Sequence, residues 1–373
     1  MITIDCNFPG GNITLDRIEG EHVFVHQDLR DTTTDWFYWY FRLNGAAGRR
    51  VRVTFTGSDV IGVRGPAFSL DGGACWQWLG AEVVDGQSFD YAVPAGAEEV
   101  RFSFGMPYLE TNLKAFLQQH AGSPHLAVGE LCRTKKGRSA ELIRLGCLDG
   151  ACQQRVLLTC RHHCCEMMAS YALEGIMASI MADDTLGDWF RQSIEVLVVP
   201  FVDKDGVEDG DQGKNRAPRD HNRDYSGESV HPTTLAIREL VPAWSEGRLR
   251  FALDLHCPAI RGQYNEDIYF PGGSDAHMWE QVLHFSSILE NTPAGPLVFS
   301  AAHNLPYGMA WNISTNNSQG LTFGGWAAAL DGIRMGGTLE LPYANASERE
   351  VTQHSARTFG RNLAEAMRTY LEE

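Results

Sequence analysis

Arg155-Val156-Leu157-Leu158-Thr159-Cys160-Arg161-His162-His163-Cys164-Cys165-Glu166, running on into Met167 to Ala182, is the stretch from which the rest of the chain can be read. An apolar run ends at Cys160, a polar knot follows, and a pattern rich in Met and Ala begins at Met167. Arg155 to Cys160 predicts a buried strand and Met167 to Met181 a helix. In an H-x-x-E element at such a junction, an imidazole and a carboxylate three positions apart can converge on one small volume beyond the strand's end. Zn²⁺ is borderline in softness and accepts both donors, and two His plus one Glu with an open position is a catalytic ligand set. The knot therefore reads as half of a zinc site. The competing reading is a polar loop whose Glu166 caps the helix, its charge set against the helix dipole.

Composition bounds what such a site could serve. The chain has 373 residues, enough for a large core and for two domains. A hydrophobic share of 43% with 10% aromatic is that of a globular protein, not a disordered one. No apolar run reaches the roughly 18 residues of a membrane helix. Met1-Ile2-Thr3-Ile4-Asp5-Cys6 lacks the basic and apolar regions of a signal peptide, so a cytoplasmic location is expected. Nine cysteines, an odd number that includes the adjacent Cys164-Cys165, fit reduced thiols better than a disulfide framework. Cys160, Cys164, Cys165 and Cys257 flank the proposed ligands and keep a thiolate metal site open, although no C-x-x-C occurs. A formal charge of −16 argues against nucleic acid and anionic membrane as partners, but not against a locally basic pocket.

Residues 1–106 read as a β domain. Trp36-Phe37-Tyr38-Trp39-Tyr40-Phe41-Arg42-Leu43 is strongly aromatic, Val51 to Thr56 and Val100 to Phe104 alternate with period two, and glycine turns such as Asp71-Gly72-Gly73 lie between. Short strands at this spacing predict an antiparallel β-sandwich. Its aromatic cluster reads as core, with a carbohydrate-binding face as the other possibility. From Pro107-Tyr108 onward, residues 107–373 alternate helix and strand. Leu113 to Gln119, Thr233 to Leu240 and Arg349 to Leu371 read as helices; Ala140 to Leu145, Ile194 to Phe201, Phe251 to Leu255 and Gly337 to Leu341 read as strands. The fold class is α/β, a mixed, mainly parallel sheet flanked by helices. Ligands on such sheets gather at the carboxyl ends of strands.

The remaining polar signals fall at those ends. His256 follows a buried strand, which would fix its imidazole rigidly; a core histidine donating to a carbonyl is the alternative. Asp254 before it suits a supporting role behind a ligand or a bond to backbone amides. Arg216, Arg219 and Arg223 crowd one short segment of an acidic chain, either as an anion site or as a solvated loop with internal Asp pairs. Glu340 sits in an otherwise apolar strand, where an unpaired carboxylate costs several kcal/mol, so it is paired or faces a polar cavity. A general base raised in pKa by partial desolvation is such a residue.

Taken together, these segments resemble the zinc metallocarboxypeptidases, and within them the cytosolic carboxypeptidase branch. That branch carries R-x-H-x-x-E, N-P-D-G, an arginine ahead of D-L-N-R, D-x-H and a final T-x-E strand. Arg161 to Glu166, Asp203-Lys204-Asp205-Gly206, Asp220-His221-Asn222-Arg223, Asp254-Leu255-His256 and Thr338-Leu339-Glu340 stand in those places, and the amino-terminal part, residues 1–106, looks like the branch's β-sandwich. The resemblance implies Zn²⁺ on His163, Glu166 and His256, with Glu340 as general base. It also implies Asn222 and Arg223 on a substrate's terminal carboxylate and Arg216 on the developing oxyanion. The substrate would be a peptide or protein carboxyl-terminal tail. Relatives trim acidic tails, for which Arg334 is the basic candidate here. Three features depart from the pattern. Cys164-Cys165 replaces Pro-Gly, and Arg216 lies three residues nearer to Asn222-Arg223 than in the family. No tyrosine lies between Tyr307 and Tyr343 to serve as the family's loop tyrosine; Tyr307 and Asn316 are the stand-ins considered, and the role is unassigned. A related zinc amidohydrolase that deacylates N-acyl amino acids, and a non-catalytic peptide-binding relative, are the other readings. Oligomeric state is not legible.

Overall fold

The computed structural model describes the chain apart from residues 31, 33–36, 294 and 318–319 and the side chains of residues 316–317. Trp36 and the Asn316 side chain thus lie outside the described residues. In the amino-terminal half, alternation does what period two demands: along Arg50–Phe55 every second residue is buried. Two five-stranded sheets result. One joins Thr3–Asp5, Tyr40–Asn44, Glu99–Ser103, Ala67–Ser69 and Gln77–Trp78, all antiparallel. The other joins Thr14–Glu19, His22–His26, Arg50–Phe55, Ser88–Ala92 and Val84–Asp85. Here the structure departs from the expected antiparallel sandwich, because His22–His26 pairs in parallel with Arg50–Phe55. The reason is topological. Between those strands the chain crosses to the other sheet through Tyr40–Asn44 and returns running the same way. The aromatic segment is core: Trp39, Tyr40 and Phe41 are buried, and the Trp39 ring lies 4.8 Å from that of Phe55.

The second half is built on one six-stranded sheet. Its strands are β1 (Leu126–Arg133), β2 (Ser139–Gly146), β3 (Gln154–Cys160), β4 (Ile194–Val199), β5 (Leu249–His256) and β6 (Met335–Glu340), in the order β1-β2-β4-β3-β5-β6. The first two are antiparallel; β4, β3, β5 and β6 are parallel. The parallel strands are covered on both faces, which is why they read as unbroken apolar runs. Helix α1 (Met167–Met181) is buried almost all round and packs on helix α2 (Gln353–Glu372), hence its Met and Ala content. The terminal helix starts at Gln353, not Arg349: Thr352 caps it by accepting from the Ser355 amide, while Arg349–Glu350 pairs as a short strand with Asn345–Ala346. Pro232–Ser245 is longer than the expected helix, with Pro232 in its first turn.

The two halves share a core. One buried apolar cluster runs from Ile2 to Leu371, through both the sandwich and α1. Polar anchors add to it at the strap Gly210-Asp211-Gln212-Gly213. Asn12 Nδ2 donates to the Gly210 carbonyl at 2.8 Å, Arg30 pairs with Asp211 at 2.5 Å, and Gln212 Oε1 accepts from the Phe37 and Tyr38 amides, each at 2.9 Å. Among the described residues, no helix is long and apolar enough to cross a membrane.

Candidate metal centre

Strand ends deliver the site. β3 ends at Cys160 and opens into Arg161, whose φ of 61° is the left-handed region an L-residue rarely adopts. The turn is held by Arg161 itself, buried, donating to the Cys164 and Tyr108 carbonyls and to Ser170 Oγ. β5 ends at His256 and β6 at Glu340, and parallel register places these two residues side by side. Three neighbouring strands therefore point their chemistry at one place.

There, ligand atoms of His163, Glu166 and His256 lie within 4.8 Å of one another. Both Nδ1 atoms face the Glu166 carboxylate, His163 at 2.9 Å from Oε1 and His256 at 2.7 Å from Oε2. Both Nε2 atoms face carboxylates behind them: His163 is 3.6 Å from Asp220, and His256 is 2.5 Å from Asp254. This is the backing that orients ligating imidazoles. Glu166 is the residue before α1, yet its side chain makes no capping bond, so the capping alternative fails. His256 likewise bonds carboxylates rather than the carbonyl of a core histidine. His162 has both nitrogens engaged, with Asp254 at 2.8 Å and the Tyr225 hydroxyl at 2.7 Å.

The electrostatics are those of a cation site. Burial alone would lower the His256 pKa, but Asp254 and Glu166 hold it well above the ordinary imidazole value; His163 is raised by Glu166 and Asp220 against the same burial. Glu166 is held well below the carboxylate range by Lys214 and the two imidazoles, again against burial. Its Oε2, fully buried, has no hydrogen-bond donor despite the nearby His256 Nδ1, nor has Glu340 Oε2. Two imidazoles and a carboxylate on one small volume, with orphaned oxygens facing it, fit a metal ion. Among the described residues, no cysteine sulfur belongs to the groups of donor atoms gathered within 4.8 Å of one another. Burial pushes the Cys160 and Cys165 thiols up to about 12 and those of Cys164 and Cys257 well above their usual value. All nine cysteines are free thiols.

A cavity of about 430 Å³ opens from this group, lined by His163, His256, Glu340, Asn222 and Arg223. Burial, and the Glu166 charge, raise the Glu340 carboxyl above its ordinary value although His256 and Lys214 pull it down. Asn222 is positioned by accepting from the Phe323 amide at 2.9 Å.

Two expected residues are not brought here. Arg216 pairs with Asp203 at 2.7 Å and Asp211 at 3.1 Å, and lines a separate cavity of about 610 Å³. Arg334 stacks over the Tyr370 ring at 4.8 Å. It precedes β6, whose far end carries Glu340, and six residue steps along the strand separate the two by about 20 Å. Arg219 pairs with Asp224 at 2.8 Å, so of the three clustered arginines only Arg223 lines the smaller cavity. Tyr307 is exposed and does not line it; Trp311 does, donating to the Tyr269 hydroxyl at 3.3 Å.

One residue of the site escaped the sequence reading. Lys214 Nζ lies 2.6 Å from Glu166 Oε1 and donates to the Cys257 carbonyl at 2.9 Å. Burial would lower its pKa, but Glu166, Cys165 and Glu340 raise it, so it is a cation. The available signal was Gly213-Lys214, a turn residue beside a basic one at the head of the arginine-rich segment.

The fold is that of the metallo-carboxypeptidases. A metallo-carboxypeptidase from Burkholderia cenocepacia superposes with a TM-score of 0.82 over 100% of this chain and 99% of that one, at 20% identity. One from Pseudomonas aeruginosa gives 0.75 over 99% of each chain, at 18% identity. By sequence, cytosolic carboxypeptidase 3 of Bos taurus is 24% identical over 313 residues, 74% of this chain but only 31% of that protein's length. No family model matches the chain.

Proposed function

We propose that this chain is a zinc carboxypeptidase that removes the last residue of a peptide or protein tail. The observation that carries the reading is the gathering of His163, Glu166 and His256 at the edge of a cavity that His163, His256, Glu340 and Arg223 line. His163, Glu166 and His256 would hold the zinc, which when bound supplies electrophilic polarisation of a carbonyl and lowers the pKa of water. Glu340 takes a proton from the attacking water and passes it to the leaving amine; its raised pKa suits both halves of that transfer. Arg223 supplies the fork for a terminal carboxylate, with Asn222 beside it, and this restricts cleavage to the chain end.

The same cavity supports a side-chain preference. Its walls include Met278, Trp279, Val282, Trp311 and Leu321, with Asp275 among the polar residues. Arg223 is the sole Lys or Arg among the described lining residues, and it is committed to the carboxylate. An acidic terminal side chain would be desolvated here without a partner. The expected substrate therefore ends in an apolar residue, not in glutamate.

The test is zinc content together with amino-acid release from peptides ending in Leu or Glu. Purified protein should carry about one zinc per chain and release Leu faster, on the order of 10- to 100-fold over Glu. Glu340→Gln should keep zinc and lose about 100- to 10,000-fold in turnover. Full activity in that variant removes the proposed base, and faster Glu release removes the apolar preference.

A further inference from the structure

Lys214 and Arg216 stand two residues apart in the sequence and meet different partners, Lys214 the Glu166 carboxylate of the metal group and Arg216 the carboxylates of Asp203 and Asp211. We propose that Lys214, not Arg216, is the catalytic residue that stabilises the oxyanion as it develops, an assignment that rests on the carboxypeptidase reading above.

The geometry separates the two cations. Lys214 Nζ touches Glu166 Oε1 at 2.6 Å and the carbonyl of Cys257, the residue after His256, at 2.9 Å. An ammonium has three donors. Those contacts occupy two and leave one for a substrate oxygen, and the side chain, 23% exposed, sits against Glu166 and the residue that follows His256. Arg216 is held by Asp203 and Asp211, both buried, and turning it toward the centre would strand both carboxylates.

The backbone explains why the inner cation is Lys214. Gly213 has φ +80°, and a Cβ there would lie 2.6 Å from the Cys164 nitrogen and 2.9 Å from its sulfur, so only glycine lets the strap press against the metal loop. That pressing contact is bonded on both sides. Cys164 Sγ donates to the Asp211 carbonyl at 3.0 Å, and the Cys165 amide donates to the Gln212 carbonyl at 3.2 Å. A proline at 164 could not make the first of these. The replacement of Pro-Gly by Cys164-Cys165 and the seating of Lys214 are thus one fitted arrangement. It accounts for two departures from the family pattern at once.

The chemical step needs no further reagent. As water adds to the scissile carbonyl, the C=O π pair moves onto oxygen and Glu340 takes the water's proton. The Lys214 ammonium hydrogen-bonds the new negative charge and gives up no proton. On collapse that pair reforms the carbonyl, the C–N bond breaks, and the amine leaves with the proton returned by Glu340.

The experiment compares zinc-loaded wild type, Lys214→Met, Lys214→Arg and Arg216→Lys on a Leu-terminated peptide. Zinc content, thermal melting, kcat, KM and the inhibition constant of a peptidyl phosphonate, a tetrahedral anion, are read for each. Lys214→Met should hold zinc and lose about 100- to 1000-fold in kcat. KM should barely move, and phosphonate affinity should fall in parallel with kcat/KM. Lys214→Arg, which restores a cation, should recover at least about tenfold of that loss if removing one oxyanion donor is its origin. Arg216→Lys should keep kcat. Wild-type kcat in Lys214→Met, or loss of kcat in Arg216→Lys alone, overturns the assignment while leaving the carboxypeptidase reading intact. Zinc loss in both Lys214 variants also overturns it, by making the lysine a support for Glu166. A zinc-bound wild type that cleaves no peptide overturns the underlying reading instead.

Discussion

The segment from Asp211 to Arg223 contributes to two cavities, one lined by Asp211, Arg216 and His221 and the other by Asn222 and Arg223, and the larger of the two is not the candidate active site. The cavity of about 610 Å³ is crowded with charge, but four of its five lining lysines and arginines are committed: Arg30 to Asp211, Lys136 to Asp209, Lys204 to Glu141 and Arg216 to Asp203, all within 2.7 Å. The cavity of about 430 Å³ holds fewer charges, yet there two buried carboxylate oxygens, on Glu166 and Glu340, lack donors. The difference teaches what to look for. Paired charge marks a wall that holds itself together, whereas carboxylate oxygens without donors beside fixed imidazoles mark a place prepared for a cation.

The comparison can be broken most severely by taking the metal away. Chelation, or His163→Ala, should abolish peptide hydrolysis. Chelation should also lower the stability of wild type, by about 4 kcal/mol where the free ion had stood a thousandfold above its Kd. Thermal melting with and without chelator, beside a peptide assay, checks both; an unchanged melt would mean that the smaller cavity was no more prepared than the larger. Next in size is Arg216→Met, which strands Asp203 and Asp211 in the charged wall. We expect a loss of about 3–5 kcal/mol in denaturant unfolding, as for one partner removed from a buried pair, with turnover of the folded enzyme retained. The pH dependence has a definite sign. Burial would raise the Asp203 carboxyl, but His221 and Arg216 hold it well below the carboxylate range. Its contribution is therefore present above its unfolded value of about 3.9 and lost as pH falls through the lower folded one, so wild type and variant should converge in strong acid. The smallest effect is expected of Arg334→Ala. It removes one cation–π contact with Tyr370, on the order of 0.5–1 kcal/mol, and should leave the Leu-to-Glu preference of the peptide assay unchanged.

How much of this was legible depended on whether the chemistry is contiguous in the chain. Cys160 to Glu166, Asp254 to His256 and Thr338 to Glu340 each pack a strand end and its functional side chain into a few residues, so apolar period and polar terminus could be read together. Lys214 could not be found that way. Its direction is set by a positive-φ glycine and by contacts with residues 164 and 165, which spacing does not reveal. Arg334 misled because closeness in sequence to Glu340 is distance along an extended strand. Strand β1 was missed because it lies at the sheet edge, mostly exposed, and shows no alternation. The helix Ala276–Asn291 is legible in its apolar spacing at Met278, Val282, Phe285 and Leu289.

The grip of Asn12, Arg30 and the Phe37 and Tyr38 amides on the strap reaches further than packing. The half of the protein that owns no reacting group serves as the jig against which a lysine is set, to within the tolerance of a hydrogen bond. Exchanging that half for another sandwich of equal stability would be a change to the enzyme's tooling, even though every atom of the catalytic inventory stayed where it was.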